Sequence, residues 1–227
     1  MLKCPICLFS DEDNKFKVLI ADSHYLFTGK LVRHRCPKCG VIFGTQEMLN
    51  LTLEELGAKY KELFDGGYVG FDSTNIEVAV FNYLNPRKDG VYLNWGAGSK
   101  LRTSEILKNK GYTLYGFEPY ESSTKKDDLT ITDFDALATM KFDGIMSNDF
   151  IEHVQSPVDA LIDMKKYLKD SSCIMAHSTE CWHYVYEISP FHLFFFEGHS
   201  IAVMADRADL LVTHTDSPRV KLFRCKP

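Results

Sequence analysis

Through the C-terminal two-thirds of the chain, short apolar runs alternate with amphipathic stretches, and this alternation sets the first expectation. Val91 to Leu93 is an apolar strand running into Asn94-Trp95-Gly96-Ala97-Gly98. An amphipathic helix follows from about Ser99 to Lys110, and TLYGFE then reads as a second strand closed by Glu118. Further strands are expected near 128–131, 142–147 and 172–178, and such alternation of strand and helix argues for an α/β fold with a parallel sheet. The end of the chain departs from that rhythm. Leu210 to Thr215 and Val220 to Cys225, separated by Asp216-Ser217-Pro218-Arg219, read as a hairpin. Upstream, Thr52 to Leu63 reads as a helix with Leu53, Leu56 and Tyr60 on one face, and Glu55 follows Thr52 at capping-box spacing. Phe64 to Gly70 is a glycine-rich loop, and Glu77 to Leu84 a helix that stops before Asn85-Pro86.

The N-terminal segment has a different grammar. Cys4 and Cys7 form CPIC, Cys36 and Cys39 form CPKCG, and 28 residues separate the pairs. Each pair can present two thiolates from one tight turn, and two such knuckles make a tetrahedral site closed to solvent, which fits structural zinc. Lys15 to Ala21 and Tyr25 to Arg35 are candidate strands of a hairpin between them, and Gly40 relaxes the second knuckle. Redox chemistry at a C-x-x-C is the alternative, which two pairs in so small a segment disfavour. The expected division is a zinc ribbon over 1–48, a helical linker or lid over 49–88, and an α/β domain over 89–227.

Composition narrows the class of partner. With 45% hydrophobic residues and 25% charged, 227 residues can bury a substantial core. A formal net charge of −5 and a pI near 5.9 give no electrostatic footprint for nucleic acid, so none is expected as a partner. No apolar run approaches the roughly 20 residues that span a bilayer, and the N-terminus does not open on a signal-peptide pattern. Seven cysteines, four of them in metal-type pairs, suit a reducing compartment. A cytoplasmic protein without a membrane partner is the expectation. Nothing in the sequence speaks to oligomeric state.

Chemistry is densest around the glycines. Gly96 and Gly98 let backbone approach a ligand and turn into a helix whose N-terminus offers free N–H groups, while Glu118, about twenty residues on, suits the two hydroxyls of a ribose. A nicotinamide loop carries a third glycine, and here that position is Leu101, so a pyrophosphate would lose part of its cradle. The loop better suits an adenosine ligand without phosphate, such as S-adenosylmethionine.

From these residues onward the chain resembles the class I S-adenosylmethionine-dependent methyltransferases, in the small-molecule branch with an N-terminal zinc-binding segment. FDGIMSNDFIEHVQSPVDALIDMKKYLKD resembles that family's fourth strand, EHV turn and following helix. SPFHLFFFEGHSIAVMADRADL resembles its HLFFF segment and last helix, and CPIC, RCPKCGVIFG and LTLEELGAKYKELFDGGY resemble its N-terminal portion. The resemblance implies a Rossmann-like, mostly parallel sheet with an antiparallel last strand. It also implies a small polar acceptor, with sugars and nucleotide-linked sugars among the acceptors of the group.

What the resemblance implies for single residues is specific. Asn94, Gly96, Gly98, Glu118, Asp133, Phe134, Asn148 and Tyr68 fall at positions that contact the donor. Glu118 would hold the ribose; Asp133 and Phe134 would hold the adenine, with Asp135 and Asp128 competing for the acid's role. Tyr60 and Tyr68 are lid residues or half-buried core tyrosines. Asn94 departs from the pattern, because the family usually has Asp there, and Asn brings no negative charge. Glu152, His153 and His192 are the expected catalytic residues. A neutral His153 can act as base on a substrate hydroxyl, or can join Asp149 and Glu152 around a divalent ion if the turn is helical; otherwise the pair simply stabilises the next helix. His177 could line the acceptor pocket or be a satisfied core residue, and His183 and His199 have only position to recommend them. The aromatic run up to Phe196 reads as core or pocket wall. Oxygen is slightly preferred over carbon as the acceptor atom. The rivals are a catalytically degenerate zinc- and nucleotide-binding protein, suggested by Asn94, and a nicotinamide oxidoreductase, disfavoured by Leu101.

Overall fold

Two compact units account for the packing of this chain, seen in a computed structural model that describes residues 1–12, 15–23, 29–66, 71–98, 102–119, 128–183 and 189–227. The N-terminal elements are β1 (Leu2–Lys3), β2 (Ser10–Asp11), β3 (Lys17–Asp22), β4 (Lys30–Arg35), β5 (Ile42–Phe43), α1 (Gln46–Leu49) and α2 (Leu53–Asp65). Next come α3 (Thr74–Asn82), β6 (Val91–Trp95), α4 (Arg102–Asn109), β7 (Thr113–Phe117), β8 (Thr130–Ile131) and α5 (Phe134–Ala138). The chain continues through β9 (Gly144–Asn148), α6 (Pro157–Lys165), β10 (Ile174–Ser178) and β11 (Phe194–Phe195), and ends in α7 (Ser200–Arg207), β12 (Leu210–His214) and β13 (Val220–Cys225). Contacts divide these into one unit of Met1–Phe71, Glu152–Val158 and Glu180–Met204, and another of Asp72–Ile151, Asp159–Thr179 and Ala205–Pro227. Packing therefore interleaves segments that a sequential division at 48/49 and 88/89 keeps apart.

In the first unit β1 and β2 form a small hairpin, and β3, β4, β5 and β11 form an antiparallel sheet in the order β11-β5-β4-β3. Strand β3 shows why it pairs: Ala21 is buried while Val18 and Ile20 lie exposed on the other side, a half-buried strand of period two. Of the expected second strand, Lys30–Arg35 is a strand, and 24–28, which include Tyr25, lie outside the described residues. HLFFF is not merely a wall of aromatics. Phe194 and Phe195 pair in register with Phe43 and Ile42, so the segment adds an edge strand to the ribbon sheet, and Phe194, Phe195 and Phe196 are fully buried. Helix α2 starts where its cap predicts: Glu55 N–H donates to Thr52 Oγ1 (3.2 Å) and Thr52 N–H to Glu55 Oε2 (2.7 Å).

The second unit is built on a seven-stranded sheet ordered β12-β13-β10-β9-β6-β7-β8. β8, β7, β6, β9 and β10 run parallel, while β13 is antiparallel to both β10 and β12. The strands read as near-continuous apolar runs because both faces are covered, the mark of a parallel sheet in an α/β fold. Against one face pack Val80, Phe81 and Leu84, contributed by α3 and the turn after it, and Leu107 of α4, over Tyr92, Leu114, Met146, Ala176 and Val220. Connections leave β6 toward β7 on one side and arrive at β9 on the other. That reversal opens a crevice at the C-terminal ends of β6 and β9, the usual ligand position in open α/β sheets. No helix among the described residues is long and apolar enough to cross a membrane.

His177 belongs to this core rather than to an acceptor pocket. It lies on β10 in register with Ser147 of β9, fully buried, with its Nδ1 2.8 Å from Ser147 Oγ. Burial pushes the imidazole down from the usual 6.5 to about 3. Above pH 6.5 the group is neutral folded or unfolded and contributes no pH dependence. Below it the unfolded chain takes a proton that the folded chain refuses, so stability falls as pH drops from 6.5 toward 3. In urea titrations, His177→Gln is expected to flatten that acid limb by up to about 1.4 kcal/mol per pH unit. An unchanged slope in the folded variant would show that other groups carry the acid sensitivity.

Candidate functional site

The crevice of the second unit is shaped by two left-handed glycines. Gly96 has φ +73° and Gly98 φ +65°, conformations that an L side chain rarely adopts. At Gly96 space also forbids a side chain: an added Cβ would stand 2.5 Å from Phe150 Cδ2. The amides of Gly96 and Ala97 both donate to the carbonyl of Phe117, which ties the loop to the end of β7. Glu118 comes next, and one of its carboxylate oxygens accepts from Gly98 N–H at 3.2 Å. The acid and the glycine turn, twenty residues apart in sequence, thus share one strand end. Ser99 and Leu101 lie outside the described residues, as does Tyr68.

Flanking strands bring the remaining expected donor contacts to the same sheet edge. Asp133 follows β8 and caps α5 by accepting from Ala136 N–H at 2.7 Å. Phe134 is half exposed and packs edge-on against Phe117, ring centres 5.1 Å apart. Asn148 ends β9; its Nδ2 donates to Asp149 at 2.9 Å while its Oδ1 is buried with no hydrogen-bond partner. Asn94, 3% exposed at the end of β6, donates through Nδ2 to Glu77 at 3.1 Å, and its Oδ1 is likewise buried without a partner. Glu77 escaped the sequence reading. It sits in the first turn of α3, where an acid ordinarily signals only a helix start.

The expected catalytic residues gather in the first unit. Glu152 is buried, and the donor atoms of Glu152, His153 and His192 all lie within 4.8 Å of one another. Leu193 N–H donates to the Glu152 carbonyl at 2.8 Å, which fastens the EHV and HLFFF segments together. His153 Nδ1 lies 3.0 Å from the Phe191 carbonyl and 2.9 Å from Tyr60 Oη. A carbonyl can only accept, so that contact requires a proton on Nδ1 and puts the ring's lone pair on Nε2. His192 Nδ1 lies 3.6 Å from Cys181 Sγ. The 149–153 turn is not a helix, and Asp149 has φ +46° and accepts from Arg219 at 3.1 Å. Among the described residues the metal-capable set is completed by His192, not by Asp149. Sequence reasoning also missed Arg33, whose buried guanidinium donates to the carbonyls of Ser189 (2.6 Å) and His192 (3.3 Å) and so fixes the loop that carries His192.

The four N-terminal cysteines converge. Cys4 and Cys39 sulfurs are 3.7 Å apart, Cys7 and Cys36 sulfurs 3.5 Å, and all four lie within 4.8 Å. Zinc–sulfur bonds of about 2.3 Å in a tetrahedron set sulfurs about 3.8 Å apart, so the cage has the right size. The two knuckles repeat each other: Leu8 N–H bonds the Cys4 carbonyl as Gly40 N–H bonds that of Cys36, and Leu8 (φ +62°) and Gly40 (φ +87°) occupy matching left-handed positions. Without a cation the neutral thiol form of the group is favoured. Hydrogen bonding with Cys39 and then burial push Cys4 far above the ordinary thiol range, and chiefly burial pushes Cys7 up to about 11. A divalent cation reverses that balance by favouring thiolates.

Comparison with known proteins agrees with this geometry. The methyltransferase domain family matches residues 75–215, more than half of the chain, and the chain belongs to that family. No curated protein sequence matches. Among solved structures, the Burkholderia thailandensis 1,6-didemethyltoxoflavin-N1-methyltransferase, with bound 1,6-didemethyltoxoflavin and S-adenosylhomocysteine, superposes with a TM-score of 0.52 at 12% identity, covering 90% of this chain and 97% of that one. The CcbJ methyltransferase from Streptomyces caelestis gives 0.51 at 10% identity, covering 71% and 94%. The protein is a class I S-adenosylmethionine-dependent methyltransferase.

Proposed function

We propose that this methyltransferase modifies a hydroxyl on a small polar acceptor, with His153 as the general base and one structural zinc in the N-terminal ribbon. Sugars and nucleotide-linked sugars are the acceptor classes we put first, and oxygen is preferred over carbon because no group here is a strong enough base to make an unactivated carbanion. The observation that carries the reading is the tautomer of His153. With its Nδ1 proton committed to the Phe191 carbonyl, the basic lone pair of the ring is on Nε2, the atom that would take the proton. When bound, S-adenosylmethionine supplies a methyl group on a positively charged sulfur. The residues that would hold it are Gly96, Gly98 and Glu118 with Asp133 and Phe134, and Glu118 already stands against the glycine turn as a ribose-binding carboxylate should. As the acceptor oxygen attacks, the hydroxyl proton passes to His153 Nε2, and the protein's remaining task is alignment and exclusion of water. The acid surface charge and reducing-type cysteines fit a cytoplasmic enzyme with no nucleic-acid partner.

A second reading has a specific observation behind it. Glu152 with two imidazoles is a carboxylate-and-histidine set suited to a divalent ion, and Nδ1 of His153 carries the carbonyl contact that usually orients a metal-bound histidine. Such an ion would acidify a hydroxyl bound to it.

Three measurements test these assignments. Metal analysis of purified protein is expected to return one tightly held zinc per chain that Cys39→Ser releases; metal-free protein with four intact thiols would remove zinc from the account. Glu118→Ala is expected to weaken donor binding by about 1.5–3 kcal/mol, the scale of a charge-assisted hydrogen bond, in a protein that still folds. His153→Ala is expected to slow turnover by about 10²–10⁴-fold with donor affinity nearly intact. Turnover that depends on added divalent ions and is lost equally in His192→Ala would give the site to the metal reading instead.

A further inference from the structure

Asn94 leaves the first parallel strand without the carboxylate expected at its end, yet a carboxylate is there. Glu77 reaches that strand end from the first turn of α3. Its Oε1 accepts from Ser73 Oγ at 2.6 Å, and its Oε2 accepts from Asn94 Nδ2 at 3.1 Å and Thr103 Oγ1 at 2.7 Å. Thr103 is buried in the first turn of α4, so Glu77 joins the helix before β6, the end of β6 and the helix after the glycine turn. All three donors are neutral. The nearby Arg102 pairs instead with Asp72 at 2.6 Å, and Glu77 is in none of the ion pairs seen among the described residues.

The amide beside it is oriented by this carboxylate. A carboxylate only accepts, so Asn94 must turn its Nδ2 toward Glu77 and its Oδ1 away. That Oδ1 is buried with no partner, a state that is costly unless a donor arrives. An Asp at 94 would place two carboxylates about one hydrogen-bond length apart and neither could keep its charge cheaply. Asn at 94 and Glu at 77 are therefore one arrangement: the charge has moved from the strand to the helix. What suits a carboxylate and an unsatisfied amide oxygen together is a donor with several N–H groups and a positive charge, which is a primary ammonium.

We propose that Glu77, with Asn94 Oδ1 beside it, holds the ammonium of the amino-acid end of the methyl donor, in place of the missing strand-end acid. The inference rests on the donor being S-adenosylmethionine. It also removes the reason to regard Asn94 as a mark of lost activity.

Calorimetry on the full zinc-loaded chain with two probes tests it. S-adenosylhomocysteine carries the ammonium, whereas 5′-methylthioadenosine has the same nucleoside and sulfur without the amino-acid end. Glu77→Gln is expected to weaken S-adenosylhomocysteine roughly tenfold to a hundredfold, the range of a charge-assisted hydrogen bond, and methylthioadenosine by no more than about twofold. The double variant Glu77→Gln with Asn94→Asp exchanges charge and amide, and is expected to recover most of the lost affinity. Equal weakening of both probes would make Glu77 a purely architectural residue and overturn the proposal, as would an unchanged affinity for S-adenosylhomocysteine or a double variant no better than Glu77→Gln alone. Wild-type protein that binds neither probe would sink the choice of donor itself, an outcome distinct from the loss of Glu77's role.

Discussion

One carboxylate on α3 fixes where the first strand, its glycine turn and the flanking helices meet. Glu77 binds Ser73, Asn94 and Thr103 at once, so three elements share a single acceptor group at the edge of the core. Hydrogen bonds to a charged group contribute about 1.5–3 kcal/mol each, more than a neutral pair, but only if the charge keeps its partners. Such a junction is directional in a way that the apolar contacts of Phe81, Leu107 and Met146 are not. Burial can hold α3 against the sheet at many rotations, whereas the Glu77 fork admits one. The glycine turn inherits that position: Gly96 must then pass so close to Phe150 that no Cβ fits.

The ribbon unit reaches order by a different route. Its sheet is short, and four of its most buried positions are sulfur atoms or lie beside them. Long-range pairing supplies what length does not. β11 arrives from far along the chain to pair with β5, Leu193 N–H reaches Glu152, and Gln155 Nε2 donates to the carbonyls of Met48, Leu49 and Leu51 at the end of α1. The last of these satisfies helix-end carbonyls that otherwise need water. A small segment that cannot bury enough apolar area on its own thus combines a metal-type cage with strands borrowed from later sequence.

Local rules were legible and distant pairings were not. The capping box at Thr52 and Glu55, the two cysteine knuckles and the parallel strands all follow from spacings of a few residues, and each lies where periodicity placed it within a few positions. The C-terminal hairpin was equally readable because its turn residues are explicit. By contrast, Tyr60 and His153 meet across 93 positions, and Arg33 donates to a carbonyl 159 residues away. Tyr60 and His153 were each singled out in the sequence, but nothing in either local sequence pairs them, and nothing marks Arg33 as more than an ordinary strand residue. Glu77 was hidden for a second reason: an acid in a first helical turn already has a sufficient explanation in the helix dipole, so no residue was left over to prompt another. Asp149 shows the converse, since spacing of i, i+3 and i+4 implies one face only when the backbone is helical, and its left-handed φ takes it out of that pattern.

The two chemistries open to His153 compete for one atom. Because the Phe191 carbonyl requires the proton on Nδ1, both proton transfer and metal ligation must use the Nε2 lone pair, and a lone pair that binds an ion cannot take a proton. Tyr60 Oη, which is also near Nδ1, can only accept from the same N–H, so it strengthens one tautomer instead of offering another. His192 is held from behind in a similar way, by its loop carbonyl on Arg33 and its Nδ1 beside Cys181. One donor atom of each imidazole lies within 4.8 Å of the buried Glu152 carboxylate. Whether that cluster moves a proton or binds an ion is decided by what enters it, because both uses draw on the same close set of donor atoms.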